Sequence, residues 1–232
     1  MRRALGVGTA LALMGGALPA AWAEPGEEAT NHDAGAQGAD AAGAGAGDNV
    51  LVTIPGNHNK VMGCDADWAP ECEKAALTRD ATGVYTATFT LPAGDYEYKV
   101  AEGGSWDASY GQGGVAGGAN IAYSLTQETA VTFYYNQATH RVWNTATDQM
   151  VTLPGSEQQA LGCSDNWKPN CLAPLMEPTG NGTYTYQTAA LPEGSYELKV
   201  AIGGSWDENY GQDGTAGGAN YQFATKANKL VT

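Results

Sequence analysis

The sequence contains little positive charge. Its 11 Lys and Arg residues are outnumbered by 25 Asp and Glu residues, which gives a formal net charge of −14 at pH 7. Proteins hold nucleic acid by neutralising its phosphates with Lys and Arg, and anionic membrane surfaces attract the same two residues. The composition therefore argues against both partners, and it is typical of a soluble exported protein whose partner is neutral or cationic.

Histidine is scarce as well, with three residues in the whole chain. These are His32, His58 and His140, and none of them recurs in the internal repeat described below. A Ser-centred nucleophile elbow is also absent. The sequence therefore offers no duplicated site for nucleophilic or acid–base chemistry that uses histidine.

Acidic residues do recur in the repeat, at Asp107 and Asp207 and at Glu97 and Glu197. A glycosidase that uses two carboxylates needs a substrate cleft between them, and a module of residues 50–147 is small to hold one. We interpret these acids as solvated strand and loop residues. We expect no catalytic site, no cofactor and no metal site in this chain.

A long apolar run occurs at the N-terminus. Arg2 and Arg3 precede an apolar stretch that ends at Ala20, and Ala21-Trp22-Ala23 is a small-x-small cleavage site. Residues 1–23 are therefore predicted to be a secretory signal peptide. An uncleaved membrane anchor is the alternative, although the run is short of the ~20 residues that a span needs. Residues 24–49 are mostly Ala, Gly, Asp and Glu, which predicts a disordered linker.

One stretch of the sequence occurs twice. Residues 103–120 read GGSWDASYGQGGVAGGAN, and residues 203–220 read GGSWDENYGQDGTAGGAN. Each copy follows a run with strand character, at 96–101 and 196–201. Self-similarity of this kind indicates two copies of one module, each with a Trp and a Tyr on a Gly-rich loop.

Strand patterns dominate both copies, and no stretch has sustained helical periodicity. Apolar residues alternate with Thr along 84–91, and a Pro-Ala-Gly-Asp turn leads to the run 95–101, which predicts a hairpin. Short strands separated by turns predict an all-β fold of two tandem immunoglobulin-like β-sandwich modules. The modules are placed at 50–147 and 148–232.

The second module is predicted to be incomplete. Val231 and Thr232 align with Val131 and Thr132, so the counterpart of 133–143 is missing. Because this would expose a long apolar edge, we expect that residue 232 is not a natural end and that the chain is the N-terminal part of a longer secreted protein. A complete protein with a shortened second module is the alternative.

Four cysteines fall into two equally spaced pairs, one in each module. They are Cys64, Cys72, Cys163 and Cys171. Three pairings are possible, and the repeat favours Cys64–Cys72 with Cys163–Cys171. A zinc site is the alternative, but the spacing is long for zinc and an exported chain meets an oxidising compartment. Two disulfides are therefore expected.

Aromatic residues recur at the same positions of both modules. The pairs are Trp68 and Trp167, Tyr85 and Tyr184, Tyr96 and Tyr196, Trp106 and Trp206, and Tyr110 and Tyr210. The alternating strand faces place Tyr85 and Tyr96 in the core. Trp68 lies at the centre of the loop between two cysteines, where it either packs over the disulfide or projects from the loop.

Trp106 and Tyr110 lie instead among Gly, Ser, Asp and Gln. A loop of this kind can present a flat ring to the C–H face of a sugar while polar neighbours bind its hydroxyls. Lys99, Asp107 and Gln112 are such neighbours, and they recur as Lys199, Asp207 and Gln212. The alternative is that Trp106 closes one end of the sandwich.

The combined motifs resemble those of a known family. They are Val-Thr-x-Pro-Gly, Gly-Cys-x-x-x-Trp-x-Pro-x-Cys, Leu-Pro-x-Gly-x-Tyr-Glu-x-Lys-Val-Ala and Gly-Ser-Trp-Asp-x-x-Tyr-Gly. Together they resemble the X25 module of bacterial pullulanases and related α-amylases, which is grouped with SusE-type starch-binding domains. The resemblance implies an accessory β-sandwich of a secreted, extracellular bacterial glycoside hydrolase whose catalytic domain lies beyond Thr232. It also implies that Lys99, Lys199, Trp106 and Trp206 are ligand residues.

The predicted function is therefore non-catalytic binding of an α-glucan such as starch, pullulan or glycogen. The region is expected to be monomeric, and to have no membrane segment once the signal is cleaved. The predicted ligand residues are Trp106, Trp206, Lys99, Lys199, Asp107, Asp207, Tyr110, Tyr210, Trp68 and Trp167. The alternative is a pair of structural spacer modules that bind no sugar. A surface adhesin repeat is less favoured, because nothing in the chain anchors it to a cell wall.

Overall fold

The computed structural model describes residues 50–226 and 229–232. The predicted signal peptide (1–23) and linker (24–49) lie outside these residues. Within them, no helix is long and apolar enough to cross a membrane. Helical structure in this part of the chain is limited to short 3₁₀ turns at Glu73–Ala75, Gln112–Gly114 and Gln212–Gly214.

The first module is built from short antiparallel strands. They are β1 (Val52–Thr53), β2 (Thr78–Arg79), β3 (Val84–Leu91), β4 (Gly94–Tyr98), β5 (Val100–Glu102), β6 (Ala108–Tyr110), β7 (Ile121–Leu125), β8 (Thr129–Asn136) and β9 (Arg141–Asn144). One side of the module is a four-stranded sheet in the order β2-β3-β8-β9. The other side consists of the pair β4-β7 and the three strands β1-β5-β6.

The core of the first module lies between these two sides. Tyr98 of β4 is fully buried, and its ring meets that of Phe133 of β8 edge-on, with the centroids 5.0 Å apart. Such a contact joins the inward faces of two opposed sheets, as in a β-sandwich. The predicted all-β sandwich fold is therefore confirmed, and the inward residues are those that the alternation along each strand marks as apolar.

The predicted hairpin between 84–91 and 95–101 is wrong. β3 pairs with β8 along its whole length, from Val84 opposite Asn136 to Leu91 opposite Thr129. β4 pairs with β7 on the other side of the core. The apolar faces of β3 and β4 meet across the core, so the turn between them carries the chain from one sheet to the other.

The run 95–101 is also not one strand. It is interrupted at Lys99, whose backbone N–H donates to the carbonyl of Pro55 at 3.0 Å. Before this residue the chain belongs to β4, and after it to β5, which pairs with β1 and β6. Lys99 therefore marks the point at which the chain passes from one pairing partner to the next.

The second module repeats much of this plan. Its strands are β10 (Val151–Thr152), β11 (Glu177–Gly180), β12 (Thr183–Thr185), β13 (Gly194–Leu198), β14 (Val200–Ile202), β15 (Glu208–Tyr210) and β16 (Tyr221–Thr225). The pair β13-β16 corresponds to β4-β7, and β10-β14-β15 corresponds to β1-β5-β6. The counterpart of β3 is regular only over β12, with a further bridge between Thr188 and Val231.

The two modules contact each other through apolar side chains. Val84, Tyr134 and Trp143 of the first module are buried in one cluster with Leu175 of the second. At the edge of this cluster, the side-chain amide of Asn136 donates to Glu177 Oε1 at 2.8 Å. The module–module contact therefore combines a buried apolar centre with a polar rim.

Candidate functional site

Each module carries two neighbouring tryptophans, one partly buried and one exposed. Trp68 and Trp106 have ring centroids 6.4 Å apart and planes inclined by 38°. Trp167 and Trp206 have centroids 6.5 Å apart and an inclination of 34°. Trp106 and Trp206 are 43% and 40% exposed, which is unusual for so large an apolar side chain. We call each set a tryptophan pair.

The first member of each tryptophan pair is held in a rare backbone conformation. Trp68 and Trp167 both have a φ of 59°. A bulky residue seldom adopts this left-handed conformation, and such strain persists only where the surrounding structure imposes it. Strained residues cluster at functional sites. The recurrence of the same conformation in both modules therefore points to a role for the position of the indole.

Both predicted disulfides are present in the loops that carry these residues. Cys64–Cys72 and Cys163–Cys171 each join Cα atoms 6.0 Å apart. Within the first loop, the backbone N–H of Trp68 donates to the backbone carbonyl of Gly56 at 2.9 Å. A covalent closure and a backbone hydrogen bond thus fix the loop on both sides of the ring.

Buried polar side chains hold the same loops from below. Asn59 Oδ1 accepts from the N–H of Ala69, which follows Trp68, and Thr53 Oγ1 donates to the carbonyl of Pro70 at 2.7 Å. In the second module, Gln158 bonds both the N–H and the carbonyl of Lys168, at 2.7 and 2.8 Å. The role of these positioning residues was not predicted from the sequence, although their recurrence at matching positions was an available signal.

The Gly-rich loop brings the second tryptophan to the first. Gly103 and Gly104 have φ values of 73° and 70°, a conformation that favours glycine. A side chain at Gly104 would lie 3.7 Å from the Cα of Glu71, so this loop runs close against the disulfide loop. The close approach is what places Trp106 beside Trp68.

The acids after the second tryptophans are exposed and ordered locally. Asp107 Oδ2 accepts from Ser105 Oγ at 3.0 Å, and the Asp107 N–H donates back to Ser105 Oγ at 3.2 Å. Asp207 and Ser205 make the same two bonds at the same distances. Each carboxylate therefore has a fixed direction next to a tryptophan pair.

The lysines lie against the far part of the same Gly-rich loops. Lys99 Nζ is 3.4 Å from the carbonyl oxygen of Gly117, and Lys199 Nζ is 3.3 Å from that of Gly217. Lys199 also donates to Asn209 Oδ1, and Asn209 in turn donates to the Trp206 carbonyl at 2.8 Å. The lysine is thus linked to the backbone of the second tryptophan in the second module.

The tyrosines occupy different surroundings in the two modules. Tyr110 stacks on His140, with centroids 3.9 Å apart and planes inclined by 6°, and it packs against the core. Tyr210 instead donates from its hydroxyl to Glu208 Oε1 at 2.9 Å. Gln112 lies in the 3₁₀ turn that follows β6, where its backbone N–H donates to Ala119. The structure therefore packs Tyr110 against His140 and the core, whereas the hydroxyl of Tyr210 is bonded at the surface.

An open surface groove of about 640 Å³ is lined in part by Trp167, one member of the tryptophan pair of the second module. It lies along β13 and β16, where Glu197 and Gln222 are register partners, and its lining also includes Trp167 and Ser156. From the sequence, Glu197 was predicted to be solvated and Gln222 was given no role. The available signal was the change from Ala122 to Gln222 beside an acid that an asparagine holds in both modules.

The site residues do not form a metal-binding cluster. Across residues 50–226 and 229–232, no group of three or more His, Cys, Asp or Glu side chains lies close enough together to hold an ion. What the described site offers is aromatic surface with polar side chains beside it. This combination suits a neutral ligand that has both C–H faces and hydroxyl groups.

Comparison with known proteins identifies relatives of the chain. It is 38% identical over 192 residues to an amylopullulanase of Thermoanaerobacter thermohydrosulfuricus, an alignment that covers 79% of this chain and 13% of that protein. It is 34% identical over 184 residues to an amylopullulanase of Thermoanaerobacterium thermosulfurigenes, covering 75% of this chain and 10% of that protein. The chain thus spans a small part of the length of these curated relatives. Among solved structures, a pullulanase from Bacillus acidopullulyticus matches with a TM-score of 0.38 and 17% identity, covering 68% of this chain and 28% of that one.

The family assignment rests on a match that occurs twice. The family model described as the pullulanase X25 domain matches residues 51–142 and again residues 150–232. These two ranges take in both copies of the repeat and both tryptophan pairs. The resemblance predicted from the motifs is confirmed, and the chain belongs to the pullulanase X25 domain family.

Proposed function

We propose that this chain is a non-catalytic, carbohydrate-binding region of a secreted bacterial amylolytic enzyme. In this proposal each module binds a starch-type α-glucan, such as starch, pullulan or glycogen, through its tryptophan pair. The observation that carries the proposal is that an indole pair with one exposed and one partly buried member, and with nearly the same separation and tilt, occurs in both modules. Two independent loops maintain this arrangement at the cost of backbone strain.

The geometry of the tryptophan pair favours a curved ligand. The two indole planes are inclined by 38° and 34°, so the rings of each pair are not coplanar. Successive glucose units of an α-1,4-linked chain turn relative to one another, whereas a flat polymer face would require coplanar rings. The inclination of the rings therefore favours an α-glucan.

The relatives direct the choice of polysaccharide. Both curated relatives described above are amylopullulanases. We infer that this chain likewise accompanies a catalytic domain that acts on such glucans, and that it is exported with that domain. The two disulfides agree with an oxidising compartment. Asp107 and Asp207, with Lys99 and Lys199, are the proposed hydroxyl-binding neighbours.

Two modules on one chain increase the strength of binding to a polymer. When one tryptophan pair is bound, the second is confined near the same glucan, so its binding becomes effectively intramolecular. Avidity of this kind is expected on starch or pullulan, and it is not expected on a short oligosaccharide that only one pair can reach.

Affinity electrophoresis tests the proposal. The intact chain is run in native gels with and without soluble starch or pullulan, and we expect the polysaccharide to retard it. The double variant Trp106→Ala/Trp206→Ala should migrate as in the empty gel. Val115→Ala is the matched control, because Val115 is an exposed apolar residue of the same Gly-rich loop. A folded wild-type chain that neither polysaccharide retards would contradict the proposal.

A second candidate function is a stiff spacer that holds other parts of the protein apart without binding sugar. The apolar cluster between the modules favours it, because Trp143, Tyr134 and Leu175 are buried there together. A spacer gains stiffness from such a contact, whereas independent binding modules do not need one. The same electrophoresis separates the two functions, since only the binding function predicts retardation.

A further inference from the structure

We propose that the groove beside Trp167 is an additional sugar subsite, which makes the second module's binding site longer than that of the first. The groove would take one or more further units of the neutral glucan chain that stacks on the tryptophan pair. This proposal rests on the proposed function, since it extends the same site. It assigns a ligand-binding role to Glu197 and Gln222.

The groove is continuous with the tryptophan pair because Trp167 belongs to both. The Trp167 ring neighbours the Trp206 ring, with centroids 6.5 Å apart, and Trp167 also lines the groove. Side chains alternate along a strand, so Glu197 and Gln222 share one face, and Tyr196 and Phe223, whose ring centroids lie 5.6 Å apart, also line the groove. A ligand that leaves the indoles therefore meets both polar and aromatic side chains.

The carboxylate of Glu197 is held in place before any ligand arrives. Asn220 Nδ2 donates to Glu197 Oε2 at 3.0 Å, and Gln222 Nε2 donates to Glu197 Oε1 at 2.9 Å. Each carboxylate oxygen can accept about two hydrogen bonds, so each retains acceptor capacity. Two fixed acceptors on one planar group suit two neighbouring hydroxyls of a sugar, and hydroxyl–carboxylate bonds are among the stronger ones.

The rim of the groove is fixed by a small residue. Ser156 Oγ accepts from the backbone N–H of Glu197 at 3.0 Å. The same position in the first module is Asn57, which accepts from the N–H of Glu97 at 2.9 Å and also donates to the carbonyl of Asp95 at 3.2 Å. A larger side chain thus lies along the strand edge in the first module.

The floor of the site differs between the modules as well. Glu97 accepts from the side chain of Asn120, and the counterpart of Gln222 in the first module is Ala122. A second acid, Asp95, lies two residues from Glu97 on the same face and accepts from Ser124 at 2.7 Å. The corresponding residues of the second module are the uncharged Ser195 and Ala224, both of which line the groove. The doubly held carboxylate with open space beside it is therefore a feature of the second module.

The ligand class follows from this charge and these donors. A fixed carboxylate repels uronic or sulfated sugars and accepts hydrogen bonds from hydroxyls. The subsite therefore takes a neutral hexose unit. The longer site favours an extended glucan segment over a short oligosaccharide.

The test compares maltotriose with maltoheptaose by calorimetric titration of the intact chain. A Trp106→Ala background removes the pair of the first module, so that binding reports the second. In this background we expect Glu197→Gln to weaken maltoheptaose binding by about tenfold, the effect of one good charge-assisted hydrogen bond. The Kd for maltotriose should change by less than a factor of about two, because this short ligand makes no contact with the groove. Gln222→Ala, which installs the first module's residue, should weaken maltoheptaose binding in the same direction.

The matched control lies in the first module. In a Trp206→Ala background, Glu97→Gln should leave the ratio of the two affinities unchanged. The subsite would be overturned if Glu197→Gln weakened the binding of maltotriose and maltoheptaose equally. It would also be overturned if neither Glu197→Gln nor Gln222→Ala weakened the binding of either ligand. Both results would leave the proposed function intact. A different pair of results would overturn the proposed function and the subsite together. These are a folded Trp106→Ala chain that binds neither oligosaccharide and a wild-type chain that starch does not retard.

Discussion

Glu157 in the second module occupies the position that His58 occupies in the first. Both residues are buried, with 2% and 0% of their surface exposed. His58 Nδ1 bonds the hydroxyl of Tyr123 at 2.8 Å, and its Nε2 bonds the carbonyl of Ile54 at 3.0 Å. Glu157 has no hydrogen-bond partner for either carboxyl oxygen on another described residue, and Phe223 stands where Tyr123 would be. The two modules therefore contain buried groups of opposite acid–base character, and they should respond to pH in opposite directions.

Stability of the second module is expected to fall as the pH rises from 4.5 to 7. Burial raises the pKa of Glu157 from 4.5 to about 7. In this window the folded state keeps a proton that the unfolded chain has lost, so the free energy of unfolding falls by about 3 kcal/mol. The stabilisation that the Glu157 proton gives the folded state is complete below pH 4.5 and stays lost above pH 7.

Denaturant unfolding at pH 4.5 and pH 8 measures this difference. Glu157→Gln should remove most of it, because the amide does not titrate. Glu193→Gln replaces an exposed acid and should keep the wild-type pH dependence. An unchanged pH dependence in Glu157→Gln would contradict the assignment.

The first module is expected to lose stability on acidification. Burial lowers the pKa of His58 below its usual 6.5. Below pH 6.5 the unfolded chain binds a proton that the folded imidazole does not, so the free energy of unfolding declines as the pH falls further. Unfolding curves collected between pH 7.5 and pH 5 should show this decline. In His58→Gln the decline should be smaller.

Tyr123→Phe should destabilise the first module at neutral pH. It removes the 2.8 Å hydrogen bond to His58 and leaves a buried ring nitrogen unpaired, at a cost of about 1–3 kcal/mol. Tyr210→Phe, which removes a hydroxyl bonded to Glu208 at the surface, should destabilise the protein less than Tyr123→Phe. Thermal unfolding at pH 7.5 compares the stability of the two variants. Equal losses of stability would show that the buried hydrogen bond contributes no more than the surface one.

The sequence predicts the buried faces of the strands but not their partners. The alternation of Tyr85 and Leu91 with polar residues marks the inward face of β3, and both residues are buried. The same alternation fits a strand paired with β4 or one facing it across the core, and the chain adopts the second arrangement. Pairing depends on contacts between residues far apart in sequence, which local periodicity does not encode.

The candidate site was predictable in part for the same reason. The setting of Trp106 among Gly, Ser and Asp indicates surface exposure, and the ring is exposed. Its pairing with Trp68 depends on the approach of two loops, set by glycines such as Gly104 at positive φ. The role of Glu197 was missed because a lone acid on a strand has no local signature. The difference between His58 and Glu157 could have been found by aligning the repeat, because a buried position that changes from base to acid must change its surroundings as well.

Loss of one disulfide should affect both stability and the tryptophan pair. The double variant Cys64→Ser/Cys72→Ser opens a short loop, which is expected to lower the free energy of unfolding by about 2.5 kcal/mol. Because that loop holds Trp68 at a φ of 59°, its release should let the backbone relax and separate Trp68 from Trp106.

Circular dichroism of the indole bands reports the second effect. Two close, inclined indoles give coupled bands, and the variant should keep only the part contributed by Trp167 and Trp206. Trp68→Ala provides the reference for complete loss of the first pair. If the disulfide variant keeps the wild-type bands, the loop does not depend on the disulfide for the position of Trp68.

Trp143 should stabilise the contact between the modules through its apolar surface and not through its N–H group. Its side chain is 2% exposed, and it stacks on Tyr134 with centroids 5.4 Å apart and planes inclined by 17°. Its Nε1 is buried without a hydrogen-bond partner among the described residues.

Trp143→Ala should therefore cost about 3–5 kcal/mol through the cavity that it leaves beside Leu175. Trp143→Phe should cost less than Trp143→Ala, since it keeps an aromatic ring and removes an unpaired donor. Scanning calorimetry should show the modules of Trp143→Ala unfolding in more widely separated transitions, while those of Trp143→Phe unfold as in the wild type. Equal destabilisation by the two substitutions would mean that the indole N–H is bonded in solution and that the contact depends on that bond.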